Sequence, residues 1–217
     1  MIILALDTAG VDCSVAILDG RTGGVLASRT ERLGKGHAER LMPMLNEVLA
    51  EAGIALTAVG RIAVTVGPGS FTGIRTGVAA ARGLSLALKV PSVGISTLSM
   101  LAAEWQAEHP GLPVIAAIDA RRGEIYAQAF AADGEALGEP AALDVEGARA
   151  LAARHGAAVT GSAAPLLDGL PAGEPDHFPP ALAARLALAI ENADKPKPLY
   201  LRAPDAKPQA GFALSRV

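Results

Sequence analysis

A mixed α/β chain of two unequal lobes is the fold class this sequence predicts, and three observations predict it. Strand-length apolar runs alternate with segments of helical periodicity, and an apolar strand ending in aspartate opens the chain and recurs after Pro110. The third is bulk: 217 residues, 51% of them hydrophobic, are ample for a real core. Only 3% are aromatic, so that core is expected to be built from small side chains and closely approaching elements.

Residues 2 to 6 (IILAL) form a continuous apolar run ended by Asp7-Thr8-Ala9-Gly10, the pattern of a strand buried on both faces. Residues 13 to 18 (CSVAIL), closed by Asp19-Gly20, and residues 24 to 30 read as two further strands of an antiparallel meander. The segment 37 to 52 carries apolar residues at 41, 44, 45, 48, 49 and 52, which is helical spacing, and Gly53 closes it. A strand at 61 to 66 feeds a glycine-rich loop and a long helix from about 71 to 89, and the chain returns as a short strand at 91 to 95. Three strands, helix, strand, helix, strand is the ribonuclease H-like order, in which two right-handed crossovers place the first strand centrally beside the fourth.

A helix at 97 to 108 precedes the restart. Residues 112 to 119 are a buried strand, 124 to 131 its hairpin partner and 141 to 145 a third, with helices at 146 to 154 and 180 to 191 and a short strand at 157 to 160 between them. A reduced second copy of the first lobe accounts for this, in the manner of the actin/sugar-kinase (ASKHA) superfold. The expected division is 1–100 for the first lobe, 101–195 for the smaller one and 196–217 for a basic, proline-rich tail. That tail is either a solvated extension or a segment that touches RNA or an acidic partner.

Net charge is −3, so the whole surface offers no electrostatic reason to bind nucleic acid unaided. Cys13 is alone and excludes a disulfide framework, and the opening apolar run is too short for a signal sequence. A cytoplasmic protein without a membrane segment is expected.

Two Asp-bearing strand ends, at Asp7 and Asp119, sit where phosphotransferases of this superfold hold Mg²⁺ and phosphate. With Thr8, Gly10 and Gly161 they define a vestigial nucleotide or phosphate site; the alternative for Asp7 is a turn aspartate bonding its own backbone. The loop Gly67-Pro68-Gly69-Ser70-Phe71-Thr72-Gly73 resembles an anion cradle at a helix N-terminus, yet lacks the Gly-Lys-Ser/Thr of a phosphate-binding loop. Gly73, Gly77 and Gly83 together cost that helix about 3 kcal/mol of propensity, which close backbone approach should offset. Ile74, Val78, Ala81, Ser85 and Leu88 line a neighbouring stripe, and the first helix is apolar more broadly than one sheet-facing surface needs, with methionines suited to adaptable contacts. Two helices with surplus apolar surface predict a helix-on-helix docking site. No histidine has another four residues away, so no helix offers a histidine pair to a metal.

The segments ILALDTA (3–9), CSVA (13–16), HAERLMPML (37–45), GPGSFTGIR (67–75), AAIDARRGEIY (116–126) and PLYLR (198–202) closely resemble the TsaB (YeaZ) family. The resemblance implies a non-catalytic subunit in forming N6-threonylcarbamoyladenosine at position 37 of tRNAs that read ANN codons. It implies docking to a catalytic paralogue, TsaD, whose metal-binding histidine pair is reduced here to His37. The implied contact is His37, Arg40, Leu41, Met44, Leu45 and Val48 on the first helix, with Phe71, Ile74, Arg75, Val78, Ala81, Arg82 and Ser85 on the second. An ATPase, TsaE, would join the assembly, tRNA would be reached through the complex, and without TsaD the chain would self-associate as a homodimer. No cofactor is expected to bind tightly, with ATP or ADP and Mg²⁺ left to the assembled complex. The alternatives are an ASKHA-type phosphotransferase or ATPase and a metallopeptidase.

Overall fold

The computed structural model describes residues 1–191 and 194–202. Strands β1 (Ile2–Asp7), β2 (Asp12–Asp19) and β3 (Gly24–Arg32) form the expected meander; α1 (His37–Ala52), β4 (Val59–Gly67), α2 (Phe71–Leu88) and β5 (Ser92–Ser96) follow. The first sheet has the order β3-β2-β1-β4-β5, with β1 antiparallel to β2 and parallel to β4. β1 is apolar on both faces because both are covered: α1 and α2 pack against one another and against the sheet, and a late helix also packs on β1, β2, β4 and β5. The edge strand β3 instead buries only Ala27 and then alternates exposed and half-buried positions.

α3 (Thr97–Glu108) leads into β6 (Val114–Arg121), β7 (Glu124–Phe130), β8 (Ala141–Leu143), α4 (Val145–His155), β9 (Ala158–Thr160), α5 (Ala164–Leu167) and α6 (Pro180–Leu188). The second sheet, β8-β7-β6-β9, has four strands in the first sheet's order without its fifth. Alternation along β6 divides its side chains between two cores. Val114, Ala116 and Ile118 join the large core of the first sheet through α3, whereas Ile115 and Ala117 join a small core under α4.

One expectation needs correction. The helical segment at 180–191, assigned by chain position to the second lobe, is the late helix that covers the first sheet, with Ala183, Ala184 and Ala187 fully buried. Arg61 on β4 holds its end, donating to the carbonyls of Ala187 and Ile190 at 2.6 and 2.9 Å. Two short elements were not expected, the 3₁₀ turn at Leu56–Ala58 and α5, since neither is long enough to show a period. The tail residues beyond Arg202 lie outside the described residues. Among the described residues no helix is long and apolar enough to cross a membrane.

Candidate functional site

The glycine loop before α2 is occupied by the chain itself. Ser70 N–H donates to Ala9 O at 2.7 Å, the Ser70 hydroxyl accepts from Gly73 N–H, and the Thr8 hydroxyl donates to Gly73 O at 2.7 Å. A Cβ on Gly69 would stand 2.4 Å from Ala9 O, one on Gly73 1.9 Å from Thr8 O and one on Gly77 2.6 Å from Thr8 Oγ1. The expected close approach is real, but it is made by the β1–β2 turn: Gly69, Gly73 and Gly77 serve internal packing.

Asp7 is the turn aspartate of the structural alternative. Its Oδ1 accepts from Thr65 Oγ1 at 2.6 Å and from Ala9 N–H at 3.0 Å, while Oδ2 is buried without a partner among the described residues. Burial pushes its pKa up to about 7, against the opposing pull of the Thr65 and Ala9 hydrogen bonds. Asp12, next to it, pairs with His177 (Oδ2 to Nδ1, 2.5 Å), and His37 Nε2 meets the Asp12 carbonyl at 3.0 Å.

The docking residues expected on α1 and α2 divide sharply. Leu41, Met44, Leu45, Val48, Ile74, Val78 and Ala81 are each at most 3% exposed and His37 is 7% exposed, all packed into the chain's own core. Arg40 is committed internally as well. It donates to Glu31 on β3 and to Glu47 on α1, and the Arg40 hydrogen bond, helped by Arg29, draws the Glu47 carboxyl down to about 2. Ser85 is half-buried and donates to Val90 O at 2.6 Å. Of the expected residues, Phe71, Arg75 and Arg82 do face outward.

The outer face contains other residues outside the implied contact set. Met42 is 42% exposed on α1 and Leu86 82% exposed on α2, with Ala79 and Gly83 exposed beside it. Arg75 sits over the Phe71 ring at 4.9 Å, and Tyr200 packs on that ring with centroids 5.0 Å apart. Tyr200 arrives with the C-terminal segment, which is fastened by Leu199 N–H to Val66 O at 2.8 Å and by the Arg202 guanidinium to Glu124 at 2.6 Å. The position of Leu86, four residues from Arg82 and seven from Ala79, was the signal available in the sequence; nothing local announced Tyr200.

Between the sheets lies a cleft of about 680 Å³, bordered by Gly10, Ser70, Phe71, Asp119, Arg121, Asp176 and Tyr200 among others. Of the expected nucleotide residues, Gly10 and Asp119 line it; Asp7 and Thr8 are sealed behind it at 0% exposure. Gly161 makes a backbone turn at φ 98°, a Cβ there falling 2.4 Å from Ala117 O. The neighbouring Ser162 is held by Asp176, its N–H at 2.8 Å and its hydroxyl at 2.5 Å, and it accepts from Asp119 N–H. Burial raises the Asp176 pKa against those hydrogen bonds. These groups do not fit a Mg²⁺-nucleotide: Asp7 is buried and does not line the cleft, and the β6–β7 turn presents Arg121 and Arg122, both at positive φ, rather than a small phosphate-binding turn. Among the described residues no group of three or more His, Cys, Asp or Glu is placed to hold a metal.

A family model described as "TsaD: tRNA N6-adenosine threonylcarbamoyltransferase" matches residues 15–161. The tRNA threonylcarbamoyladenosine biosynthesis protein TsaB of Escherichia coli is 40% identical over 126 residues, covering 58% of this chain and 53% of that protein. The match thus spans about half the length of the curated TsaB relatives. An uncharacterized Mycobacterium tuberculosis protein is 35% identical over 213 residues, covering 96% of this chain and 95% of its own. The crystal structure of YeaZ from Pseudomonas aeruginosa superposes with a TM-score of 0.75 at 34% identity, covering 92% of this chain and 99% of that one. With the YeaZ fold shared over nearly the whole length at that identity, the chain belongs to the TsaB (YeaZ) family.

Proposed function

We propose that this chain is a non-catalytic subunit of the machinery that forms N6-threonylcarbamoyladenosine at position 37 of ANN-reading tRNAs, and that it works by docking a TsaD-type catalytic paralogue through the outer faces of α1 and α2. The observation that carries this reading is the outward arc of α2, where Phe71, Ala79 and Leu86 leave apolar surface uncovered, with Met42 exposed on α1, which packs against α2. The family resemblance supports the partner, and His37 supports the non-catalytic role, since its imidazole is spent on the Asp12 carbonyl. On the same grounds TsaE joins the assembly, tRNA is reached through the complex in the cytoplasm, and the free chain self-associates on this face. The second sheet is read as a reduced copy of the first in the ASKHA manner, with the division near residue 100 kept except that α6 belongs to the first body.

The test uses a surface residue. Met42→Asp should leave the free chain within about 0.5 kcal/mol of wild type and abolish co-elution with the paralogue in size-exclusion chromatography. Met44→Asp, by contrast, buries an unpaired charge and should unfold the chain, costing about 3 kcal/mol or more. Undiminished co-elution of the folded Met42→Asp chain removes the docking face.

One observation favours a second reading as a phosphotransferase, namely the inter-lobe cleft with Asp119 on its wall. Calorimetric titration with Mg-ATP separates the two: micromolar binding lost in Asp119→Ala supports the enzyme, and no heat supports the subunit. A metallopeptidase would carry zinc or iron, which elemental analysis of the purified chain detects.

A further inference from the structure

One wall of the cleft between the sheets is made by a connecting segment and not by either sheet. Gly173, Pro175, Asp176 and Phe178, between α5 and α6, all border the cleft. Three consecutive side chains of this segment go to different places. Phe178 is buried in the core of the first sheet, and His177 Nδ1 meets the carboxylate of Asp12 on β2 at 2.5 Å. Asp176 turns to the second sheet, where it accepts from both donors of Ser162, the N–H at 2.8 Å and the hydroxyl at 2.5 Å. Gly10 supplies the room for the crossing: a Cβ there would stand 3.3 Å from both the Asp176 carbonyl oxygen and the Phe178 ring.

The two ends are held unequally. On the first sheet, Phe178 and Asp12 are both buried, and the Asp12 carbonyl is itself fixed to His37. On the second sheet the printed hydrogen bonds all fall on one residue, since Gly173 N–H donates to Ser162 O at 2.8 Å beside the two bonds to Asp176. Burial raises the Asp176 pKa against the pull of the Ser162 hydrogen bonds and of His177, so the ionised carboxylate gives up hydration to stay in this place. The neighbouring charges are engaged elsewhere. Asp119 on β6 accepts from Arg121 N–H, Glu174 lies 3.8 Å from Arg32 of β3, and Glu104 of α3 acts on His177, as Asp12 does.

We infer that residues 173–178 are a clasp over the cleft, fixed to the first sheet at Asp12 and the core and releasable from the second at Ser162, so that its release opens one wall of the cleft and frees both Ser162 donors toward it. Proton linkage gives the direction. The clasped carboxyl holds its proton more tightly than a released, hydrated one, so the clasp is firmest in acid. It loosens as pH rises from the ordinary carboxylate range through the raised value, and is level above that.

Amide exchange of the full chain, followed by NMR between about pH 4 and pH 8 and corrected for intrinsic exchange rates, tests this. Protection of Ser162 N–H and Gly173 N–H should fall relative to the β6–β7 ladder amides as pH rises, by up to about tenfold per pH unit within the linkage window. The ladder amides report global unfolding and carry the Asp7 proton with them, which leaves the ratio to the clasp. Asp176→Asn copies the protonated carboxyl, accepting from Ser162 N–H and donating to its hydroxyl oxygen, and should hold the ratio at its acid value throughout. Asp176→Ala should lower the ratio at every pH, with far-UV circular dichroism unchanged. A wild-type ratio that does not vary with pH, or an unchanged ratio in Asp176→Ala, overturns the clasp. A ratio that falls with pH in Asp176→Asn as it does in wild type places the titration on another group and overturns Asp176 as the releasing end.

Discussion

At the scale of the residue, Asp7 couples the stability of the first sheet to pH. Its carboxyl is fully buried, one oxygen is satisfied by Thr65 and Ala9, and the other has no partner among the described residues, so desolvation outweighs the hydrogen bonds and holds the folded pKa at about 7 against 3.8 for the free side chain. The folded state therefore binds this proton more tightly than the unfolded chain. The sign follows: the contribution is complete below about pH 4, is lost as pH rises from 4 through 7, and is level above that. Asparagine copies the protonated form, keeping an acceptor toward Thr65 and Ala9. Asp7→Asn should thus match wild type near pH 4 and exceed it at pH 8, by about 4 kcal/mol at most. Urea unfolding of both proteins at several pH values measures this. A difference that does not change with pH would mean the carboxyl is ionised throughout.

At the scale of the element, α2 places three glycines in one helix for opposite reasons, and their substitutions should differ in sign. Gly73→Ala drives a methyl onto the Thr8 carbonyl, a backbone atom that cannot rotate away, and should cost about 3 kcal/mol. Gly83→Ala enters open space and should stabilise the free chain by about 1 kcal/mol through helix propensity alone. Thermal unfolding of the pair decides it; equal losses would mean that the space at Gly83 is filled. The same helix marks how far sequence reaches. Strands and long helices were legible to within a few residues because a period of two or 3.6 survives along them, and the strand order followed from crossover handedness. What covers an apolar stripe is not encoded in its period. Leu41, Met44, Val48, Ile74 and Val78 read as surplus surface, but the sheet beneath the two helices already buries them, and the face left open is formed by Met42, Phe71, Ala79 and Leu86. The return of α6 to the first sheet and the placement of Tyr200 on Phe71 were equally invisible, being contacts between residues more than eighty positions apart.

At the scale of the whole molecule, the large core draws on both sheets, and that bears on how the chain unfolds. α3 packs on β4 and β5 of the first sheet and on β6, β7 and β9 of the second, and it touches α6 as well. Through it, Val114, Ala116 and Ile118 of the second sheet belong to the same buried cluster as β1 and β4. Further ties cross the cleft: the Asp12–His177 pair, and Arg202 reaching Glu124 from a segment anchored on Val66. Separating the sheets would open the large core along α3 and leave the second sheet only its small core under α4, so the chain should unfold in one cooperative step despite having two sheets. Trp105, the single tryptophan, lies on α3 and reports the junction directly, whereas far-UV circular dichroism reports both sheets. Their urea transitions should coincide in the wild type. Leu98, on the same helix and fully buried, supplies the perturbation: Leu98→Ala should cost about 2 to 5 kcal/mol and move both transitions together to lower urea. If the tryptophan signal instead shifts alone, leaving a second dichroism transition at its original midpoint, the lobes are separate folding units and the shared core does not couple them.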